Sequence, residues 1–170
     1  MIPIKSFQVQ IFYYFKNSNL YKMKNSEEDI KAKLLSHQNV TRIKVRFNDT
    51  DAMGVVHFMN YFMYFDDGFV SFMNSLGASK RIEELIYENI ALGVKHVEIN
   101  YENSAKFGDY IIVNTNIEKI GKKSVTFHHS LFRESDNTLL ANVIATRFVL
   151  DLKKNELRNV MKFISEYLEY

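Results

Sequence analysis

Between Phe58 and Leu76 the phenylalanines recur at spacings of four and three, as Phe58, Phe62, Phe65, Phe69 and Phe72, with Leu76 continuing the series. That period puts them on one face of a helix. A second stripe, Met59, Met63, Val70 and Met73, flanks the first and leaves only Asn60, Asp67, Ser71 and Asn74 as a polar edge. The pattern therefore predicts a long helix buried over most of its circumference. Gly77 is placed to end it, and Lys80 to Asn89 reads as a second, shorter helix. Ahead of the long helix, Thr41 to Phe47 alternates, with Ile43, Val45 and Phe47 on one face and Arg42, Lys44 and Arg46 on the other. This is the period of a half-buried strand, ending near Asn48.

Beyond Asn89 the pattern changes to strands. Val94 to Tyr101, Tyr110 to Ile120, Lys123 to Arg133 and Leu139 to Leu150 are alternating or β-branched, and turn-forming segments at 103–109, Gly121 and 134–137 separate them. Short connections favour an antiparallel sheet, and the long helix must cover its apolar face. Leu157, Met161, Ile164 and Leu168 mark a C-terminal helix. The expected class is α+β, with a 1–39 extension that is helical in part and one domain over 40–170.

The extension adds little chemistry. Phe7 to Phe15 is aromatic-rich, but Gln8 and Gln10 interrupt it and no small-residue cleavage site follows, so it fits a signal peptide poorly. Met23 reads equally well as a start, since Ser26-Glu27-Glu28-Asp29 forms a capping box for a short helix through Leu35.

Composition narrows the chemistry further. With no cysteine, thiolate nucleophiles, disulfides and cysteine metal sites are excluded, and a reducing compartment, the cytoplasm, is favoured. A net charge of +2, with both signs interspersed, gives no electrostatic footprint for nucleic acid. No apolar run reaches membrane-spanning length. His96, His128 and His129 lie in strand patterns without metal-ligand spacing, so no metal site is expected.

The densest cluster of polar and small residues precedes the long helix: Arg46-Phe47-Asn48-Asp49-Thr50-Asp51-Ala52-Met53-Gly54-Val55-Val56-His57-Phe58-Met59-Asn60-Tyr61. It resembles the signature of hotdog-fold acyl-CoA thioesterases of the 4-hydroxybenzoyl-CoA thioesterase type. In that signature an aspartate is followed three residues later by glycine, then by two apolar residues and an Asn-Tyr pair on the first turn of the helix. Ala105-Lys106-Phe107-Gly108-Asp109 resembles the family's turn into the next strand, and Gly121-Lys122-Lys123-Ser124 its phosphate-contacting hairpin. The resemblance covers about 110 residues and implies a hotdog, an antiparallel sheet wrapped around one central helix. It also implies an acyl-CoA substrate, no cofactor beyond the CoA of that substrate, and a homodimer or homotetramer with the active site between subunits.

Hydrolysis of a thioester needs a nucleophile or base and donors for the oxyanion. Without cysteine or a serine elbow, a carboxylate just before a helix is the best candidate, and Asp51 is that residue, as nucleophile or as general base. Free N-H groups at the helix start would polarise the carbonyl, and the resemblance points to that of Phe58. Asp49 reads as a turn former. His57 stands one position before the histidine found in one variant of the family; it is a candidate for orienting water or polarising substrate, or else packs at the helix entrance. Asn60, Tyr61, Lys122, Lys123 and Ser124 are candidate substrate contacts by the same resemblance, although two hairpin lysines are solvated by default. Asp66 falls on the apolar Met59 stripe, so it should be hydrogen-bonded or functional. A hotdog hydratase or dehydratase, and a non-catalytic acyl-CoA or acyl-carrier binding module, are the competing readings; the first lacks its histidine-acid pair here.

Overall fold

The structure, a computed structural model, describes residues 26–78 and 80–168. The aromatic segment from Phe7 to Phe15 and the Met23 start lie outside the described residues. The first element, α1 (Glu27–Ser36), opens on the capping box, with the Ser26 side chain accepting the Asp29 N-H and Asp29 accepting the Ser26 N-H in return. Its Leu34 is 2% exposed and joins the core, so this turn of sequence packs with the domain that follows it.

Five long strands form one antiparallel sheet: β1 (Gln38–Lys44), β2 (Ile90–Tyr101), β3 (Tyr110–Ile120), β4 (Val125–Arg133) and β5 (Leu139–Asp151), in the spatial order β1-β3-β4-β5-β2. The two-residue β6 (Glu156–Leu157) adds to β5. The long helix α2 (Asn60–Ser75) lies across the sheet, the hotdog expected from the sequence. A C-terminal α3 (Val160–Leu168) completes the core together with Leu34 and the far half of α2.

At Gly68 the helix lies against the sheet with no room for a side chain. A Cβ placed there would stand 2.8 Å from Cγ1 of Val113 and 2.9 Å from Oγ1 of Thr115, distances that force one of the groups to shift. Tyr61, Tyr64, Phe65, Phe69, Phe72 and Met73 bury the same face.

Several sequence expectations shift. β1 stops at Lys44, and Phe47 belongs to a 3-10 turn (Phe47–Asp49) and is 73% exposed. The segment after Gly77 is a 3-10 helix (Ile82–Glu88) closed by Asn89 in the left-handed region at φ 63°. Most consequentially, α2 is not buried all round: Phe58, Met59, Phe62 and Met63 are exposed apolar residues. The apolar periodicity counted every hydrophobic position as core, whereas one sheet covers only one side of a helix.

Candidate active site

The loop between β1 and α2 is built by hydrogen bonds before any chemistry is considered. Val45 N-H donates to the Asp109 carbonyl (2.8 Å) and Gly108 N-H to the Val45 carbonyl (3.2 Å), tying the exit of β1 to the 105–109 turn. Further along, Val56 N-H donates to the Ala105 carbonyl (2.8 Å), and Val55 bridges to Lys106. The two sequence blocks singled out above thus form one structural unit.

Within that unit the two aspartates have opposite environments. Asp49 is 3% exposed. Its carboxylate accepts the Arg46 N-H (2.8 Å), the Arg46 guanidinium (2.9 Å) and the Tyr64 hydroxyl (2.9 Å), while its carbonyl accepts the His57 N-H (2.9 Å) and the Asn60 side-chain amide (2.7 Å). Burial alone would push its carboxyl up, but the Arg46 and Tyr64 donors outweigh it and hold the group below the usual range. Burial and the Asp49 anion push the Tyr64 phenol up. Asp49 is the scaffold of the loop.

Asp51, two residues on, sits in the half-exposed turn that this scaffold holds. Its N-H donates to the Val55 carbonyl (2.9 Å), its carbonyl accepts Gly54 N-H (3.0 Å), and Oδ1 accepts Met53 N-H (2.8 Å). Gly54 has φ +75°, the left-handed conformation that closes the turn. Oδ2 of Asp51 has no hydrogen-bond partner among the described residues, which leaves one carboxylate oxygen free to accept.

The turn runs into the N-terminus of α2. His57 Nδ1 accepts the Met59 N-H at 3.3 Å, which leaves the proton of a neutral ring on Nε2 as a donor. Phe58 N-H has no acceptor among the described residues, and its carbonyl accepts the Tyr101 hydroxyl (3.1 Å). The site therefore offers a carboxylate oxygen, an imidazole N-H and a free backbone N-H on one short loop.

The other candidates occupy different places. Asn60 is engaged with the Asp49 carbonyl, and Tyr61 is 3% exposed with its hydroxyl accepting Ala105 N-H (3.3 Å); both hold the loop from within. Lys122, Lys123 and Ser124 form the β3–β4 turn, where Gly121 N-H donates to the Ser124 carbonyl (2.8 Å), Lys123 donates to the Leu157 carbonyl and the Lys122 carbonyl accepts Val160 N-H (3.0 Å). Asp51 adjoins the opposite end of β3, roughly 35 Å away at strand rise. A groove of about 390 Å³ lies at that far end as well, between the 3-10 helix and α3, where Lys80 pairs with Glu88 and Arg158 with Glu166.

Sequence reasoning placed Asp66 on an apolar stripe and left its partner open. The partner is Arg147 on β5, 81 residues away, which no local spacing signals. His129 is fully buried, with Nδ1 2.9 Å from the Thr115 hydroxyl. Burial, then the Arg147 and His128 charges, hold its imidazole down at about 3, so it is a neutral core residue.

Relatives carry the same outline. Over 100 residues the chain is 29% identical to the acyl-CoA thioesterase YbgC of Haemophilus influenzae, covering 58% of this chain and 69% of that protein. It is 28% identical over 107 residues to the 1,4-dihydroxy-2-naphthoyl-CoA hydrolase of Prochlorococcus marinus, covering 58% and 68%. The structure of the DHNA-CoA thioesterase from Staphylococcus aureus superposes with a TM-score of 0.70 at 19% identity, over 78% of this chain and 87% of that one, a likeness of fold. Residues 45–168 match the family described as the Thioesterase-like superfamily, a span that begins at the end of β1 and closes with α3. The chain belongs to that superfamily and is a hotdog-fold thioesterase.

Proposed function

We propose that this thioesterase hydrolyses an acyl-CoA with Asp51 as the reacting carboxylate and the Phe58 N-H as an oxyanion donor. The observation that carries the reading is the division of labour between Asp49, fully engaged and buried, and Asp51, with a free oxygen on the loop that leads to the helix N-terminus. As a base, Asp51 takes a proton from water as its oxygen attacks the carbonyl; as a nucleophile it forms a mixed anhydride that water then opens. In both routes charge collects on the carbonyl oxygen beside the positive end of α2. The C–S bond then breaks, and the departing thiolate takes up a proton. His57 Nε2-H is the donor nearest that loop by sequence.

β2 is an edge strand with one side unpaired, and an exposed edge of 12 residues calls for a partner. In the proposed dimer two copies of β2 pair antiparallel across a two-fold axis, so each Ile90 end lies beside the partner's Tyr101 end. The registers Val94↔Arg147 and Arg147↔Val125 put the 121–124 turn at the Val94 end of the sheet. Pairing then brings the partner's Lys122 and Lys123 toward Asp51, where CoA phosphates would meet them. The exposed Phe58, Met59, Phe62 and Met63 become the acyl-facing wall. Release of free thiol from a panel of acyl-CoAs tests the reading: turnover supports it, whereas water addition to an enoyl-CoA, or binding without turnover, would replace it. Acid-quenched mass spectrometry distinguishes the two routes by the presence or absence of an acyl adduct on the chain.

A further inference from the structure

Consecutive peptide groups lead into α2, and the one joining His57 to Phe58 carries the Phe58 N-H, which has no acceptor among the described residues. The peptide before it is fixed because His57 N-H donates to the Asp49 carbonyl (2.9 Å), and its own carbonyl, that of His57, accepts Asn60 N-H (2.8 Å). The peptide after it joins Phe58 to Met59. At one end its N-H donates to His57 Nδ1 (3.3 Å); at the other its carbonyl accepts the Tyr101 hydroxyl (3.1 Å) and, at a longer 3.4 Å, Tyr61 N-H. Tyr101 is the last residue of the edge strand β2, 43 positions away in sequence.

Tyr101 ends a row of tyrosine rings. Its ring meets that of Tyr61 edge to face (5.4 Å, 82°), and Tyr61 meets Tyr64 in the same manner (5.9 Å, 64°). Each hydroxyl holds a different point of the site: Tyr64 the Asp49 carboxylate, Tyr61 the Ala105 N-H, Tyr101 the Phe58 carbonyl. Tyr64 and Tyr61 are 1% and 3% exposed, whereas Tyr101 is 46% exposed. Water could replace the Tyr101 hydroxyl at that carbonyl, so the bond adds little to folding. What water does not supply is a fixed direction. Desolvation raises the Tyr101 phenol above its ordinary value, so the hydroxyl stays protonated and donates throughout the neutral range.

We propose that Tyr101 is a positioning residue of the hydrolytic site, acting through the Phe58–Met59 peptide on both donors at the helix entrance. This rests on the thioesterase reading above. Donation to the Phe58 carbonyl polarises that peptide and strengthens the Met59 N-H as a donor to His57 Nδ1, since hydrogen bonds in series reinforce one another. The imidazole is thereby kept in the tautomer with its proton on Nε2. The same bond fixes the peptide plane that follows Phe58, and the Phe58 N-H keeps its aim at the developing oxyanion.

Tyr101→Phe tests this, because it keeps the ring against Tyr61 and deletes only the hydroxyl. On an acyl-CoA that the wild type hydrolyses, kcat is expected to fall about tenfold with KM within about twofold, the pattern of an interaction felt in the transition state. Melting temperature and oligomeric state should stay as in the wild type. Nitrogen NMR of the imidazoles, with His57 assigned by its disappearance in His57→Gln, gives a readout that needs no turnover. The wild type should show His57 as the Nε2-H tautomer, and Tyr101→Phe a mixture with the Nδ1-H form. An unchanged kcat, a rise in KM at constant kcat, an unchanged tautomer, or a wild-type ring already in the Nδ1-H form overturns the proposal. A melting temperature that falls along with kcat overturns it too, by assigning the hydroxyl to the fold. Wild-type hydrolysis that is indifferent to the hydroxyl sinks this inference alone; no hydrolysis of any thioester sinks the thioesterase reading with it.

Discussion

The Tyr64 hydroxyl donates to Oδ2 of Asp49 at 2.9 Å, joining the second turn of α2 to the loop that carries Asp51. This bond makes the geometry of the candidate site a property of the core. Tyr64→Phe should destabilise the protein by about 1.5 to 3 kcal/mol, the range for a hydrogen bond to a charged group. Asp49→Ala should cost about 1 to 3 kcal/mol, because the buried Tyr64 hydroxyl and the Arg46 N-H lose their acceptor while the exposed Arg46 guanidinium stays solvated. Since the Asp49 carboxyl is depressed in the folded state, its contribution is present above the unfolded value near 4 and fades as pH falls through the lower folded value. Urea unfolding of the wild type and Tyr64→Phe at pH 7 and pH 3.5 measures both effects.

Asp51→Asn is expected to do the reverse. The Met53 N-H keeps an oxygen acceptor in the amide, so the melting temperature should stay within a few degrees of wild type. Loss of a nucleophile or base should lower kcat by on the order of a hundredfold or more. Steady-state kinetics beside a thermal melt check it; a drop in stability matching that of Asp49→Ala would make Asp51 a second scaffold residue instead.

For Lys122 and Lys123, contacts to CoA phosphates exist in the ground state as in the transition state, so they act on KM. Replacing both with Ala should raise KM for acyl-CoA roughly tenfold and leave kcat within a few-fold, with an effect that shrinks as salt rises. A truncated thioester lacking the nucleotide should be hydrolysed equally by wild type and variant. Unequal hydrolysis would assign the lysines to folding, through the Lys123 side-chain bond to the Leu157 carbonyl.

His129 gives the fold a second pH dependence. Its imidazole is held near 3, well below the ordinary 6.5. Between those values the unfolded chain binds a proton that the folded one does not. Stability should therefore fall as pH drops below about 6.5, by up to roughly 1.4 kcal/mol per unit. Denaturant unfolding at pH 7.5 and 5.5 should show a loss on the order of 1 kcal/mol in the wild type and a smaller one in His129→Gln.

Much of this was legible in the sequence, for reasons that differ by residue. The capping box at Ser26 and the stop at Gly77 are local chemistry, decided within a few positions, and both form as read. Asp49 as a turn former was also readable, although its burial was not, because that depends on Tyr64 one helical face away. Arg147 could not be matched to Asp66, since their meeting is set by the register Val94↔Arg147↔Val125 across three strands. The exposed side of α2 was misread for a simpler reason: hydropathy records that Met59 and Met63 avoid water and is silent on what covers them.

The chain path implies something about how the site comes into being. The sheet's outer strands, β1 and β2, are separated by some fifty residues, and the 102–109 segment must travel from β2, which pairs with β5, to β3, which pairs with β1. The Asp51 loop is fastened to the middle of that segment through Ala105 and Lys106. Its anchors to that segment, Val45 to Asp109, Val55 to Lys106 and Val56 to Ala105, join residues about fifty or more positions apart, the kind of contact that forms slowly and late. A half-folded chain holding only the β3–β4–β5 meander has no anchor for the loop. On refolding, catalytic competence should thus return with the last kinetic phase, after most of the β-sheet signal has already recovered.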